Sequence, residues 1–415
     1  MDTNVFDTLK ERGYVYQLTH EEEIKKILNS STPVTFYLGI DPTADSLHIG
    51  HFFALMMFRY LQDAGHKGIL VIGGATALIG DPSGKSDMRK MLTKEQVAHN
   101  VEEVKKLASR FIKIDGDNPA IILSNAEWIN PYSYIDFMRD IGIHFNVNTM
   151  LAADAYSKRL EEGGLTFLEM GYMLMQSYDF VHLNKEYGCT LQIGGSDQWG
   201  NIVSGTNLGR KLNFANNDER DIMFGLTCPL LMTREGKKMG KTESGTLWVA
   251  RDKTTVFDFY QYFYNVNDDD TEMLLRLFTR VPLDEIIQLC KEDIRGAKRL
   301  MAYEITKLVH GKEEADKVLK TITEIFDKNK IASDMPNFDI DKKLIESGIS
   351  INDLLFMCEF VGSKSEGRRL IKQGGISLNG DKIEDVDFVV GVGDIQDGCL
   401  ILKRGKKNYL KVVVK

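Results

Sequence analysis

The chain has 415 residues, 43% hydrophobic and 27% charged, with a formal net charge of −8; this composition excludes a disordered chain and leaves room for two or three domains, each with its own core. Residues 1–18 carry no apolar core behind a basic start, and no run approaches the roughly 18 to 20 apolar residues of a membrane span, so a cytoplasmic protein without membrane association is expected. The acidic balance repels nucleic acid on average, so any RNA contact must rest on local basic patches, one of which lies after residue 350, where Lys and Arg outnumber Asp and Glu. The five cysteines, Cys189, Cys228, Cys290, Cys358 and Cys399, are scattered without a CxxC pair and read as reduced packing residues, with no protein-bound metal expected.

Apolar runs at 34–38, 69–72, 120–123 and 190–193 alternate with longer stretches of helical period up to about residue 226. That is the rhythm of a parallel sheet with crossover helices. Several runs end in glycine, at Gly39, Gly73-Gly74 and Gly194-Gly195, which places tight turns at strand carboxyl ends, where open α/β sheets bind ligands. The expected organisation is an α/β, Rossmann-like nucleotide-binding domain over 1–226, then a linking segment with a mobile loop over 227–255. An α-helical domain follows over 256–328, where DTEMLLRLFTR and RLMAYEITKLVHG keep helical spacing. Residues 329–345, with Pro336 among Asn and Asp, read as a linker, and 346–415 as a small α+β unit.

Two segments carry chemistry. In YLGIDPTADSLHIGH a strand ending at Gly39 leads through an Asp-Pro turn into a helix beginning near Leu47, so that His48 and His51 sit at its N-terminus. Backbone N–H groups and the helix dipole make that end an anion site. A bare HxxH also fits a metal pair or packing histidines. Far downstream, Lys238-Met239-Gly240-Lys241-Thr242 is rich in Lys and Gly without hydrophobic period, a cationic loop. A third segment, 73–85, has a Gly-rich look, but Gly80 and Gly84 are separated by three residues rather than the four of a P-loop.

Together the His48-Ile49-Gly50-His51 and Lys238 to Thr242 segments resemble the two signatures of class I aminoacyl-tRNA synthetases. The second departs from the general Lys-Met-Ser-Lys-Ser pattern at Gly240 and Thr242, as in many bacterial tyrosyl enzymes. The resemblance implies that ATP, with Mg²⁺ on its phosphates, activates a substrate carboxylate, and that catalysis rests on positioning and positive groups: Thr43, His48, His51, Lys85, Arg89, Lys238, Lys241 and Thr242.

In FLEMGYMLMQSYDF, Tyr172, Gln176 and Asp179 recur at i, i+4 and i+7 and share one helix face. Spacing alone also fits a solvent-facing stripe. Similarity to tyrosyl-tRNA synthetases implies that Tyr37 and Asp179 read the phenol of L-tyrosine, that Tyr172, Gln176 and Asp81 hold its ammonium, and that Gln198 approaches its carboxylate. Gly39, Asp41, Gly50, Gly195, Asp197 and Lys241 would line ATP or the adenylate. A pocket built to hydrogen-bond a hydroxyl rejects the analogue lacking it, tyrosyl-tRNA synthetases being the standing example of that rule, so no editing domain is expected. The segment SKSEGRRLIKQGGISLNGDKI resembles an alpha-L RNA-binding motif, which implies tRNA(Tyr) contacts at Arg368, Arg369 and Lys372, with Lys403, Arg404, Lys406 and Lys407 extending the patch. The same resemblance implies anticodon binding by the helical domain and a homodimer joined near 128–151. Competing readings are a catalytically silent RNA-binding relative, a metabolite nucleotidyltransferase and a tryptophanyl enzyme.

Overall fold

The computed structural model describes residues 4–83, 91–215, 222–236, 238–242, 245–326, 336–396, 398–405 and 408–415, apart from a few side chains, among them those of Lys241 and Thr242. Met1–Lys253 with Glu272–Gln288 forms one compact unit, and Thr254–Thr271 with Leu289–Lys415 a second.

The first unit is built on β1 (Gln17–Leu18), β2 (Thr35–Ile40), β3 (Lys67–Ile72), β4 (Ile121–Ser124), β5 (Cys189–Gly195) and β6 (Phe224–Cys228), in the order β1-β6-β5-β2-β3-β4. All pairs are parallel except that of β1 with β6. The central strands are apolar and buried on both faces, as a parallel sheet covered by helices requires. Four strands fall within three residues of the runs seen in the sequence. Unforeseen are the two-residue β1, too short for a periodic signal, and β6, which runs past the expected domain end at 226. Strand order advances β2-β3-β4 on one side and returns as β5-β6 on the other. The reversal lies between β2 and β5, and a ligand crevice belongs at their carboxyl ends.

The segment expected to link domains, 227–255, belongs to this unit up to Lys253, and 272–288 joins it as well. Arg12 explains the second assignment. Its guanidinium donates to the carbonyls of Arg276 (3.0 Å), Thr279 (2.9 Å) and Val281 (2.8 Å), while Phe278 stacks on Phe52. A buried guanidinium with several carbonyl acceptors fixes a chain segment that helical period alone assigns to the next domain.

In the second unit, helices Val256–Tyr264, Ile294–His310 and Lys312–Phe326 pack together around buried Phe259, Phe263, Met301 and Ile305. Residues 336–415 form an α+β unit with its own apolar core, including Leu354, Leu355, Ile371, Leu400 and Val412. Its five-stranded sheet runs, in spatial order, Asp381–Ile383, Ile376–Leu378, Cys399–Arg404, Asn408–Val414 and Asn337–Ile340. The expected linker at 329–345 therefore ends early. Asn337–Ile340 pairs in parallel with Asn408–Val414 and buries Ile340, an edge pairing four residues long that no local pattern announces.

Candidate active site

A cleft of about 1040 Å³ opens at the carboxyl ends of β2 and β5. That volume is at the upper end of the roughly 300–1,000 Å³ usual for small-molecule sites and has room for an amino acid beside a nucleotide. Tyr37 and Gly39 on β2, Gly194 and Gly195 on β5, and Asp41 and Thr43 beyond β2 line it. A side chain at Gly39 would meet no protein atom within 4 Å, so the bare backbone there faces the cleft.

The helix Ile49–Asp63 begins at the same mouth, two residues later than the sequence implies. His48 is its N-cap: Nδ1 accepts from the backbone N–H of Gly50 (3.1 Å) and of His51 (3.3 Å), and His51 Nδ1 in turn accepts from the His48 N–H (3.4 Å). With both Nδ1 atoms acting as acceptors, each neutral imidazole carries its proton on Nε2. The rings stack at 3.7 Å and line the cleft. Two imidazole donors at a helix N-terminus suit phosphate oxygens, and the capping geometry leaves no role for Nδ1 as a metal ligand.

The helix Phe167–Tyr187 brings Tyr172, Gln176 and Asp179 to the cleft. It is buried on most sides, so these polar groups require partners. Asp179 is 4% exposed and accepts from Asn125 Nδ2 (3.1 Å) and Trp128 Nε1 (2.7 Å). Burial nevertheless pushes its carboxyl up to about 7, against the two donors that favour the charged form. Tyr37 is buried beside Phe180, and its hydroxyl, like Gln176 Oε1, has no hydrogen-bond partner among the described residues. Burial and the charge of Asp179 raise the Tyr37 phenol well above its ordinary range.

At the other end Tyr172 donates to Asp41 Oδ2 (2.8 Å), while Gln198 Nε2 donates to Asp81 Oδ2 (2.6 Å). Burial, with the Asp81 charge adding to it, raises the Asp197 carboxyl. Gly195 leaves space that the Asp197 carboxylate fills, since a Cβ there would lie 2.6 Å from Oδ1.

The second signature borders the same cleft. Lys238 lines it, Met239 donates its backbone N–H to Leu231 O (2.8 Å), and Leu247 N–H donates to Gly240 O (2.7 Å). Gly240 has φ +79, and a Cβ there would stand 2.4 Å from Cγ2 of Ile49. The departure from serine is thus required by a left-handed turn packed on the first signature. Lys241 and Thr242 pair through the backbone with Thr246 and Gly245. Lys85 and Arg89 lie outside the described residues.

Sequence reasoning misses four groups here: Thr76, Asn125, Trp128 and Gln192. Trp128, expected near a subunit interface, is buried against His182 and holds Asp179. Gln192 pairs in register with Tyr37 on the neighbouring strand, and its buried Oε1 also lacks a partner among the described residues. Their only sequence signal is that Thr76 and Asn125 are polar residues just beyond strand ends and that Gln192 is a polar residue inside a mostly apolar strand. In the second unit, Arg368, Arg369 and Lys372 are exposed on the helix Lys364–Lys372, Lys403 and Arg404 are half-buried on the adjoining strand, and Lys406 and Lys407 lie outside the described residues.

Comparison with known proteins agrees with this geometry. The family profile "tRNA synthetases class I (W and Y)" matches residues 29–327, and the profile "Tyrosine--tRNA ligase SYY-like C-terminal domain" matches 327–412. The tyrosine–tRNA ligase of Acetivibrio thermocellus is 49% identical over 413 residues, 99% of each chain, and that of Clostridium beijerinckii 49% identical over 415, covering 99% of this chain and 100% of its own. The crystal structure of a C-terminally truncated mitochondrial tyrosyl-tRNA synthetase from Aspergillus nidulans superposes with a TM-score of 0.69 at 30% identity, covering 78% of this chain and 94% of its own. The first profile alone leaves tryptophan and tyrosine enzymes together; the second profile and the full-length relatives separate them, and the chain belongs to the class I tyrosyl-tRNA synthetases.

Proposed function

We propose that the cleft activates L-tyrosine with ATP to tyrosyl-adenylate and pyrophosphate, and that the tyrosyl group then passes to the 3′ end of tRNA(Tyr). The observation that carries the pocket assignment is the pair of buried polar atoms without partners among the described residues, Tyr37 Oη and Gln176 Oε1, in the cleft that also holds the Asp179 carboxylate fixed by two donors. Buried polar groups in a folded protein find partners. A phenol hydroxyl at Tyr37 and Asp179 and an ammonium at Tyr172, Gln176 and Asp81 supply them. Phenylalanine leaves the buried Tyr37 hydroxyl without a partner and gives Asp179 no phenol donor, which is a larger penalty than a lost contact.

The chemistry forms a bond between the tyrosine carboxylate oxygen and the α-phosphorus of ATP and breaks the bond from that phosphorus to the pyrophosphate oxygen. A ribose hydroxyl of the tRNA terminus then attacks the acyl carbon, and AMP leaves. No protein nucleophile takes part. Negative charge gathers on the phosphates, which arrive with Mg²⁺ as part of the substrate. Nε2–H of His48 and His51, with Thr43 and Lys238, face that region, and Lys85, Arg89, Lys241 and Thr242 are assigned to it by their motifs. Gln198 orients the attacking carboxylate, and Gly39, Asp41, Gly50, Gly195 and Asp197 accommodate the adenosine.

The alpha-L helix supplies Arg368, Arg369 and Lys372 to RNA phosphates, and the helical segment 256–328 takes the anticodon end. A second copy of the chain covers the surface of 128–151, where Tyr134, Ile135 and Ile143 are 64%, 62% and 75% exposed. Phe137, Met138 and Phe145, whose sequence context fits an interface and a core equally, pack on the core around Met173 and Leu174. Sedimentation should give a dimer, and a strict monomer would remove the interface. No helix among the described residues is long and apolar enough to cross a membrane, and the cytoplasm is the proposed site of action. The deciding experiment is amino-acid-dependent ATP–pyrophosphate exchange with tyrosine, tryptophan and phenylalanine, followed by tRNA charging; exchange with tryptophan at the tyrosine rate would overturn the pocket.

A further inference from the structure

One hydrogen-bonded chain joins the two ends of the cleft. Tyr172 donates to Asp41 Oδ2 (2.8 Å), and Thr76 donates its hydroxyl to Asp41 Oδ1 (2.7 Å). The Thr76 oxygen accepts from Asn125 Nδ2 (3.0 Å), and the same amide nitrogen donates to Asp179 Oδ2 (3.1 Å). Asn125 Oδ1 accepts from the Ala75 N–H (2.8 Å). Both amide hydrogens and the amide oxygen of Asn125 are therefore committed, and a flip would set its oxygen against the Asp179 carboxylate. Thr76 and Asn125 are 2% and 1% exposed.

The backbone is shaped around this chain. A Cβ at Gly73 would lie 2.0 Å from Asp41 Oδ1 and 2.4 Å from Thr76 Oγ1, so glycine leaves the space in which carboxylate and hydroxyl meet. Thr76 itself sits in the short turn Thr76–Leu78 after β3, outside both signature segments in sequence yet packed near the helix that carries Asp179.

We propose that Thr76 is a positioning residue for tyrosine activation, its hydroxyl coupling the carboxylate at the adenylate end, Asp41, to the phenol-reading carboxylate, Asp179, through Asn125. The hydroxyl donates in one direction and accepts from the other, which neither valine nor alanine reproduces. Asp41 Oδ1 is thereby linked through Thr76 and Asn125 to Asp179, while its Oδ2 is held by Tyr172, and occupancy of the phenol site bears through this link on the geometry at the reacting end. This inference rests on the assignment of the cleft to tyrosine and ATP.

The test is a double-mutant cycle of Thr76→Val with Asp179→Asn in the full-length enzyme, read by tyrosine-dependent ATP–pyrophosphate exchange, with Thr76→Ser as the conservative variant. Loss of a buried hydrogen bond to a charged group predicts a fall in kcat/KM for tyrosine of about tenfold or more in Thr76→Val, with Thr76→Ser near the wild type. In the Asp179→Asn background, Thr76→Val should add less than about threefold, because the coupled partner is already altered. Equal damage by serine and valine, or full additivity in the cycle, would overturn the coupling and leave Thr76 a packing residue. Should Thr76→Val not fold, Thr76→Ala removes the hydroxyl in the same cycle. Undiminished tyrosine activation in Asp179→Asn alone would instead refute the pocket assignment, so the two failures are distinguishable.

Discussion

Trp128→Phe tests whether Asp179 is tuned by its neighbours. Burial raises the Asp179 carboxyl to about 7, and the Trp128 and Asn125 donors are what keep it from rising further. Phenylalanine retains an aromatic ring against His182, on which Trp128 stacks at 4.5 Å, but removes the indole N–H. A hydrogen bond to a charged acceptor contributes about 1.5–3 kcal/mol, and one pKa unit corresponds to about 1.4 kcal/mol, so the carboxyl should move up by about 1–2 units. The sign follows from the donor favouring the charged form: removing it favours the protonated form and raises the pKa. If the anion is the form that accepts the substrate phenol proton, the acidic limb of kcat/KM for tyrosine moves to higher pH by the same amount. Exchange assays from pH 6 to 9.5 should show Trp128→Phe about five- to fiftyfold impaired near pH 7 and recovering toward the wild type at the alkaline end, since kcat/KM reports the free enzyme. A loss independent of pH, or a limb moved to lower pH, would refute the reasoning and make Trp128 a packing residue alone.

Three other outcomes follow from the geometry. Gly240→Ser, which restores the general signature residue, should destabilise the loop by about 1–2 kcal/mol from its left-handed backbone alone, and more through Ile49, so melting temperature and activation rate both fall; wild-type activity would show that the loop turn is not needed in this form. Lys241→Ala should lower the single-turnover rate of adenylate formation far more than tyrosine affinity, and an unchanged rate would remove Lys241 from the chemistry. Truncation after residue 326 should spare adenylate formation and weaken tRNA charging, whereas equal charging would show that the last unit is not an RNA-binding part. A cut at 345 is a poorer experiment because it strands Asn337–Ile340, whose pairing partner Asn408–Val414 would be lost.

The parts of the site that the sequence announces are those that lie on one continuous segment. His48 and His51 share a helix start, Tyr172, Gln176 and Asp179 share a helix face, and each group therefore leaves a local period or motif. Thr76, Asn125 and Trp128 leave none, because their connection is spatial: a turn after β3, the end of β4 and a one-turn helix meet only once the sheet has formed. Trp128 is the sharper case. An indole in an apolar segment reads equally as core or interface, and only the 2.7 Å contact of its N–H with Asp179 distinguishes a buried donor from bulk. Fold boundaries follow the same logic, since Arg12 and Asn337–Ile340 recruit distant chain by single groups or four-residue pairings that no window of periodicity samples.

Gly240 reverses the usual direction of inference. As a letter in a motif it is a tolerated departure from serine; as a residue at φ +79 with Ile49 against its missing side chain, it is the only one of the two that fits. The contact also ties the two signatures together, because Ile49 belongs to the first and Gly240 to the second, and Ile49 N–H donates to Leu247 O (3.3 Å) while Leu247 N–H donates to Gly240 O. A loop so anchored carries Lys238 into the cleft by position rather than by charge attraction alone. Loss of the anchor should consequently appear in the rate of the chemical step before it appears in the binding of tyrosine, whose phenol is assigned to Tyr37 and Asp179 rather than to the loop.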